Sequence, residues 1–255
     1  MITPIFAPAF TPNAYHDFYS TFDSYNKSLV AVASSLMDSA PAMLLDLACG
    51  TGLSTSALEA NFARARILGV DIDAALVEFA QRLSINPNIS FRCVDIAQIL
   101  DELTPRSVDL VFVKSAYHYF DQQVPLSRIK DVLSKGGTFI IAERTARSAQ
   151  SYPLPNVASH HWTSFFGQHQ VNRRFEEAQA NAMELSVSCY GEFVQIPIED
   201  YLAAVSANQL FGISALKAEL VKQWVAKQLT VESNTVSVFE EFWLYLLRKK
   251  VSTHE

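Results

Sequence analysis

The residues best suited to chemistry surround a turn that follows the first apolar segment of the chain. Asp46 lies within the apolar run 43–47, and Gly50 and Gly52 follow it directly. Glycine suits a turn that bends sharply or approaches a ligand closely, because it has no Cβ. A second apolar run ends at Asp71, and a carboxylate at the end of a strand can accept from both hydroxyls of a ribose. The pattern predicts a nucleotide-type cofactor site, which makes an enzyme the leading hypothesis.

Short apolar strands alternate with helices around these residues. The predicted strands are Met43–Leu47, Ile67–Val70, Ile89–Val94, Val108–Val113 and Thr138–Ala142, and the predicted helices lie near 53–62, 73–84, 97–102 and 124–133. This alternation indicates a parallel sheet that is covered on both faces and joined by right-handed crossovers. Ligands of such open sheets bind at the carboxyl ends of the strands, where the glycine turn and Asp71 are expected.

The remainder of the chain is expected to complete and cover this sheet. The polar segment 145–156 is interpreted as a loop, helices are predicted at 157–181, 199–207 and 213–228, and a strand is predicted at 185–196. The segment 236–247 favours a last strand, with a helix as the alternative. We predict a single domain over 1–255. It would comprise an N-terminal lid at 1–40, a cofactor-binding core at 41–145, a substrate cap at 146–215, and a C-terminal helix and strand at 216–255.

Composition limits the function classes. The 255 residues are 49% apolar, which suits one α/β domain with a well-filled core. A net charge of −6 without a basic stripe argues against nucleic acid as a partner. The sequence has no long apolar segment and no evident secretory signal, and its three cysteines lack metal-ligand spacing. We therefore expect a cytoplasmic protein with no membrane partner.

The glycine turn and the strand-end acids together resemble the class I S-adenosylmethionine-dependent methyltransferase family over about residues 25–145. The turn reads Asp46-x-Ala48-x-Gly50-x-Gly52, with Ala48 where the family more often has glycine. The resemblance implies an α/β fold, a seven-stranded Rossmann-like doubly wound mixed sheet with helices on both faces and a small helical cap. It also implies S-adenosyl-L-methionine as cofactor and S-adenosyl-L-homocysteine as product.

The same resemblance implies a set of cofactor contacts. Asp71 would bind the ribose, Ile72 would pack on the adenine, and Asp95 would contact the adenine amino group. Asp73 is instead interpreted as a helix N-cap. The complete set predicted to bind the cofactor is Tyr25, Asp46, Ala48, Gly50, Gly52, Asp71, Ile72, Asp95, Ile96 and Lys114.

The methyl acceptor is expected to be a small metabolite, and methylation on oxygen, nitrogen or carbon is left open. His118, in the polar loop after the fourth strand, is the candidate catalytic residue, acting either as a base or as an orienting group. A weaker resemblance of the segment 198–206 to the cap of trans-aconitate-type methyltransferases favours a carboxylate or hydroxyl acceptor. The residues predicted to bind the acceptor are Tyr15, Tyr19, Tyr117, His118, His161 and Trp162, and no metal site is predicted.

Two alternatives stay open at this point. An NAD(P)-dependent oxidoreductase would also pair a glycine turn with a strand-end acid, but Thr55 stands where its fingerprint has a third glycine, and Asp95 would have no task. An S-adenosylmethionine-binding protein that transfers no methyl group would keep the same motif. The sequence does not distinguish a monomer from a homodimer.

Overall fold

Seven strands form one sheet in the computed structural model, which describes residues 11–120, 124–152, 168–206, 223 and 234–249. The strands are β1 (Met43–Leu47), β2 (Arg66–Asp71), β3 (Ile89–Cys93), β4 (Val108–Lys114), β5 (Leu133–Arg144), β6 (Met183–Pro197) and β7 (Thr235–Lys249). Their order across the sheet is β3-β2-β1-β4-β5-β7-β6.

The first five strands are parallel, and the last strand in the chain reverses the direction. β1 pairs in parallel with β2 and β4, and β5 pairs in parallel with β4. β7 lies between β5 and β6 and is antiparallel to both. The prediction of a seven-stranded mixed sheet is confirmed.

Nine helices of the described residues flank the sheet: α1 (Pro12–Ser20), α2 (Asp23–Ser35), α3 (Leu53–Asn61), α4 (Ala74–Leu83), α5 (Ile96–Glu102), α6 (Leu126–Val132), α7 (Ala146–Ser151), α8 (Gln168–Ala180) and α9 (Ile198–Ser206). A 3₁₀ turn spans Tyr117–Tyr119. None of the helices in these ranges is long and apolar enough to cross a membrane.

The sheet buries a separate core on each face, because successive side chains of a strand point to opposite sides. Leu44, Phe112 and Ala142 face the core that includes Phe18 and Tyr25 from α1 and α2, and we call this side the N-terminal face. Leu45, Val111 and Ile141 face the other core, which receives side chains from α5, α6 and α8. Helices therefore cover both faces, as predicted.

The structure differs from the sequence-based expectation after β5. Residues 146–151 form α7 rather than a loop, because the Thr145 hydroxyl caps this helix by accepting from the Ser148 amide at 3.1 Å. The segment 236–247 is a strand, so the alternative of a helix is wrong. Of the predicted helix at 157–181, residues 168–181 are described, and Gln168–Ala180 of these are helical. The predicted helix at 213–228 falls outside the described residues except for residue 223.

Candidate active site

Asp71 joins the end of β2 to the glycine turn. One carboxylate oxygen accepts from the Gly50 amide at 2.8 Å, and the other accepts from the Asp73 amide at 3.0 Å. Each carboxylate oxygen has two lone pairs, so both can accept a further hydrogen bond. Burial raises the pKa of this partly exposed acid. Asp71 therefore fixes the turn and still presents acceptors to a ligand.

The turn is left-handed at three alternate positions. The φ angles are +55° at Ala48, +55° at Gly50 and +85° at Gly52. Left-handed backbone brings the Cβ of an L-residue close to the next carbonyl oxygen, so glycine is favoured there. Ala48 thus adopts the backbone conformation expected of glycine in this turn, and its Cβ makes that conformation strained.

Ala48→Gly is expected to raise the free energy of unfolding by about 1 kcal/mol, because it removes this strain at a left-handed position. Urea denaturation of the variant measures the change. Ala60→Gly is the matched control, since Ala60 is an exposed residue inside helix α3. The same substitution there is expected to lower stability by about 1 kcal/mol. A destabilised Ala48→Gly would contradict the argument.

Asp46 is completely buried beneath the turn. Its Oδ2 accepts from the Ser54 hydroxyl at 2.7 Å and from the Thr55 hydroxyl at 2.6 Å, which ties β1 to the first turn of α3. Its Oδ1 is buried and has no hydrogen-bond partner among the described residues. Burial raises the pKa of Asp46 to about 6. Thr55 stands where a dinucleotide-binding fingerprint has its third glycine, and here its hydroxyl donates to Asp46.

Ile72 and Asp95, which follow Asp71 in the chain, are exposed and could contact a nucleobase. The Ile72 side chain is 72% exposed, which is unusual for a large apolar residue and leaves a flat apolar patch beside Asp71. Asp95 caps α5 by accepting from the Ala97 amide at 2.7 Å, and the residue is exposed. Ile96 beside it is partly buried. Asp73 caps α4 by accepting from the Ala75 amide at 2.9 Å, as predicted.

Helix α1 lies over the glycine turn. An atom at the Cβ position of Gly50 would be 3.8 Å from the Tyr15 hydroxyl. His16 Nδ1 lies 3.2 Å from the Thr51 Oγ1, within the turn itself. Burial lowers the pKa of His16. Sequence analysis missed this contact of His16 with Thr51, because nothing in the local pattern shows that α1 returns to the turn.

A charged cluster occupies the N-terminal face at the carboxyl ends of β4 and β5. Arg144 Nη2 lies 3.2 Å from Glu240 Oε1, and Glu240 is almost fully buried. The Lys114 Nζ lies 4.9 Å from the centre of the Phe242 ring. Burial lowers the pKa of Lys114 to about 8, and the positive charge of Arg144 acts in the same direction. Sequence analysis missed Arg144 and Glu240, although a charged residue at a strand end was a usable signal.

Two residues that were predicted to contact ligands are buried. Tyr25 is 2% exposed, and its hydroxyl donates to the Tyr190 carbonyl at 3.1 Å inside the core of the N-terminal face. Tyr117 is 1% exposed in the opposite core, where Arg174 lies 4.3 Å from the centre of its ring. Both rings help to fill a core, and their contacts with a ligand stay predictions. Tyr19, by contrast, packs beside Tyr15 on the N-terminal face, with ring centroids 4.6 Å apart.

The remaining predicted residues are only partly placed. His118 is partly exposed in the 3₁₀ turn after β4, with its ring 4.1 Å from that of Tyr119. His161 and Trp162 lie outside the described residues. Within the described ranges, no three His, Cys, Asp or Glu side chains are grouped so that they could hold a metal ion.

Comparison with known proteins agrees with this geometry. Residues 45–141 match the family model of a methyltransferase domain. The chain is 26% identical over 200 residues to trans-aconitate 2-methyltransferase of Deinococcus radiodurans. The match covers 78% of this chain and 71% of that protein. It is 30% identical over 106 residues to malonyl-[acyl-carrier protein] O-methyltransferase of Acetivibrio thermocellus, which covers 39% of this chain and 36% of that protein.

A solved structure shows the same fold. Phosphoethanolamine N-methyltransferase 2 of Haemonchus contortus, in complex with phosphomonomethylethanolamine and S-adenosylhomocysteine, superposes with a TM-score of 0.59. Its sequence is 16% identical, and the match covers 96% of this chain and 58% of that one. The sheet order and the glycine turn followed by a strand-end acid agree with the matched family model. Residues 45–141 thus match a methyltransferase domain, and the chain has the fold of solved S-adenosylmethionine-dependent methyltransferases.

Proposed function

We propose that the protein binds S-adenosylmethionine at this edge of the sheet and transfers its methyl group to a small-molecule acceptor, releasing S-adenosylhomocysteine. The observation that carries the proposal is the pair of acids beside the glycine turn. Asp71 presents carboxylate oxygens with unused lone pairs, and Asp46 holds one buried oxygen without a partner among the described residues. These groups fit the two polar ends of this cofactor, a ribose diol and a cationic methionine end.

The residues around the turn match the cofactor in chemistry. The ribose hydroxyls would donate to Asp71, and the adenine would lie against Ile72, whose side chain is exposed beside it. The adenine amino group would donate to Asp95, which uses one carboxylate oxygen for its helix. The cationic amino group of the cofactor would be attracted by Asp46. Gly50 and Gly52 would keep the backbone close to the cofactor, because both allow the left-handed conformation of the turn.

The bound cofactor supplies a methyl group on a sulfonium, which is already activated for displacement. The protein must therefore align the acceptor and exclude water from the crevice. Helix α1 is placed for this task, since Tyr15 and His16 lie directly over the turn. His118 lies at the carboxyl end of β4 and would orient the acceptor or take its proton where the acceptor arrives protonated. His118, Tyr15 and Tyr19 thus remain our candidates for acceptor contacts.

Calorimetric titration followed by a transfer assay tests the proposal. We expect S-adenosylmethionine and S-adenosylhomocysteine to bind with one site per chain and NADH to show no binding. Label from methyl-labelled S-adenosylmethionine is expected to enter a small molecule of a metabolite extract. Binding of NADH in place of the two sulfur nucleosides would overturn the proposal in favour of an oxidoreductase. Tight binding without transfer to any metabolite would leave a cofactor-binding protein and contradict the methyltransferase activity.

The acceptor itself is proposed only as a class. The relatives named above act on trans-aconitate and on malonyl-[acyl-carrier protein], so a carboxylate acceptor is the first to be assayed. A cytoplasmic location, a monomeric or homodimeric state, and the absence of a nucleic-acid partner and of a metal stay predictions.

A further inference from the structure

Two cationic side chains enter the N-terminal face from neighbouring strand ends. Lys114 is the last residue of β4, and Arg144 is the last residue of β5. Phe112 and Ala142, each two residues earlier, belong to the core of the N-terminal face. Because side chains alternate along a strand, Lys114 and Arg144 point to the same face. They lie at the same sheet edge as the glycine turn.

Among the described residues the two cations have one carboxylate at ion-pair distance, that of Glu240 beside Arg144, and Asp46 acts on Lys114 from farther away. Arg144 spends one nitrogen on Glu240, and its buried Nε has no hydrogen-bond partner among the described residues. Within the same ranges no carboxylate lies within 4.0 Å of the Lys114 ammonium, which faces the Phe242 ring instead. Two like charges that are removed from water repel each other unless an anion lies near both. Glu240 is the one carboxylate of the described residues within 4.0 Å of either cation, so an anionic ligand would supply a second close negative charge.

Arg144 is also held in place. Its partner Glu240 accepts from the Tyr152 hydroxyl and from the Ser148 hydroxyl, the latter at 3.3 Å. Arg144 lies over the Tyr152 ring at 5.4 Å. A guanidinium fixed in this way presents its remaining N–H groups in one direction, which suits two oxygens of a carboxylate or phosphate. This support comes from α7 and β7.

The cation cluster lies near Tyr15 and Tyr19, the aromatic side chains of α1 beside the crevice. Burial raises the pKa of the Tyr15 and Tyr19 hydroxyls, and the charge of Arg144 lies near enough to both to offset part of that rise. Tyr15 in turn lies over Gly50. A ligand group bound by Lys114 and Arg144 would thus lie next to the glycine turn. It would be on the side where Tyr15 and Tyr19 are proposed to contact the acceptor.

We infer that Lys114 and Arg144 bind an anionic group of the methyl acceptor, a carboxylate or a phosphate, and that they select for acidic acceptors. The inference rests on the proposed function. The carboxylate of the cofactor has the same chemistry, so the test must separate these two sources. Lys114 is accordingly moved from the predicted cofactor contacts to the acceptor side.

The test divides a metabolite extract on an anion-exchange resin and offers both fractions to the protein with methyl-labelled S-adenosylmethionine. We expect label in the retained, acidic fraction. Arg144→Gln and Lys114→Gln are expected to raise the half-saturating amount of that fraction about tenfold or more. Their Kd for S-adenosylhomocysteine, measured by calorimetry, should stay within about twofold of the wild type, which also shows that the variants are folded. Arg147→Gln is the control, since this exposed arginine pairs with Glu241 outside the cluster.

Several results would overturn the inference. Label confined to the unretained fraction would show a neutral or cationic acceptor, a result that holds even where a variant fails to fold. Variants that weaken S-adenosylhomocysteine as strongly as the acceptor would assign the two cations to the cofactor carboxylate. Unchanged half-saturation in both variants would exclude a binding role. If the wild type binds S-adenosylhomocysteine but labels neither fraction, the proposed methyl transfer fails first and the inference fails with it.

Discussion

Asp71→Ala is expected to weaken the binding of S-adenosylhomocysteine by about 2 kcal/mol or more, which is roughly a 30-fold higher Kd. The variant removes two charge-assisted hydrogen bonds to the ribose. It also frees the Gly50 amide, which Asp71 holds at 2.8 Å, so the turn loses its support. Calorimetric titration of the purified variant gives the Kd directly.

Asp109→Ala is the matched control for this variant. Asp109 also accepts from two backbone amides, those of Ala42 at 2.9 Å and Met43 at 3.0 Å. It lies at the amino end of β4, however, and therefore at the opposite edge of the sheet from the turn. Its loss is expected to lower stability and to leave the Kd unchanged. Equal affinities of Asp71→Ala and the wild type would remove the main support for the cofactor site.

The residues of the proposed cofactor side of the crevice could be singled out from the sequence because their signals are local. Asp46, the glycine turn and Asp71 fall within 26 residues of one β-α-β unit, and the spacing alone fixes which strand ends they occupy. The strand bounds of β1 and the helical bounds of α3 follow from the same apolar pattern. Ala48 is an example, because the glycine motif predicts a left-handed φ at this position and the structure has it.

The proposed acceptor side could not be predicted in the same way, because its contacts join distant parts of the chain. Arg144 and Glu240 are 96 positions apart and meet only because β7 inserts beside β5. The burial of Tyr25 and Tyr117 could not be predicted for the matching reason. Aromatic residues near a site can line a pocket or fill a core, and only the packing of α2 and α8 shows that these two fill cores.

The two faces of the sheet consequently have different tasks. Along β5, Arg144 points to the N-terminal face and to the crevice, whereas its neighbour Glu143 points to the opposite core. There Glu143 pairs with Arg174 of α8, which is fully buried and lies over the Tyr117 ring. Tyr117 begins the 3₁₀ turn that carries His118. The buried pair therefore joins α8 to the turn that carries the candidate catalytic residue.

Arg174→Met is expected to lower the free energy of unfolding by about 3 to 5 kcal/mol, because it leaves the buried Glu143 carboxylate without its cation. Arg174 is 0% exposed, and its nitrogens lie 3.1 Å from Glu143 and 2.8 Å from Glu177. Urea denaturation measures the loss.

Arg82→Met is the control for this loss, since Arg82 pairs with Glu78 on the exposed surface of α4 and is expected to change stability by no more than about 0.5 kcal/mol. The double variant Glu143→Leu with Arg174→Met discriminates the cause. If the uncompensated charge is responsible, removing it should recover a large part of the loss, because an apolar pair of similar volume can replace a buried ion pair. A double variant less stable than Arg174→Met would instead show that the guanidinium acts by packing against Tyr117 and Glu177.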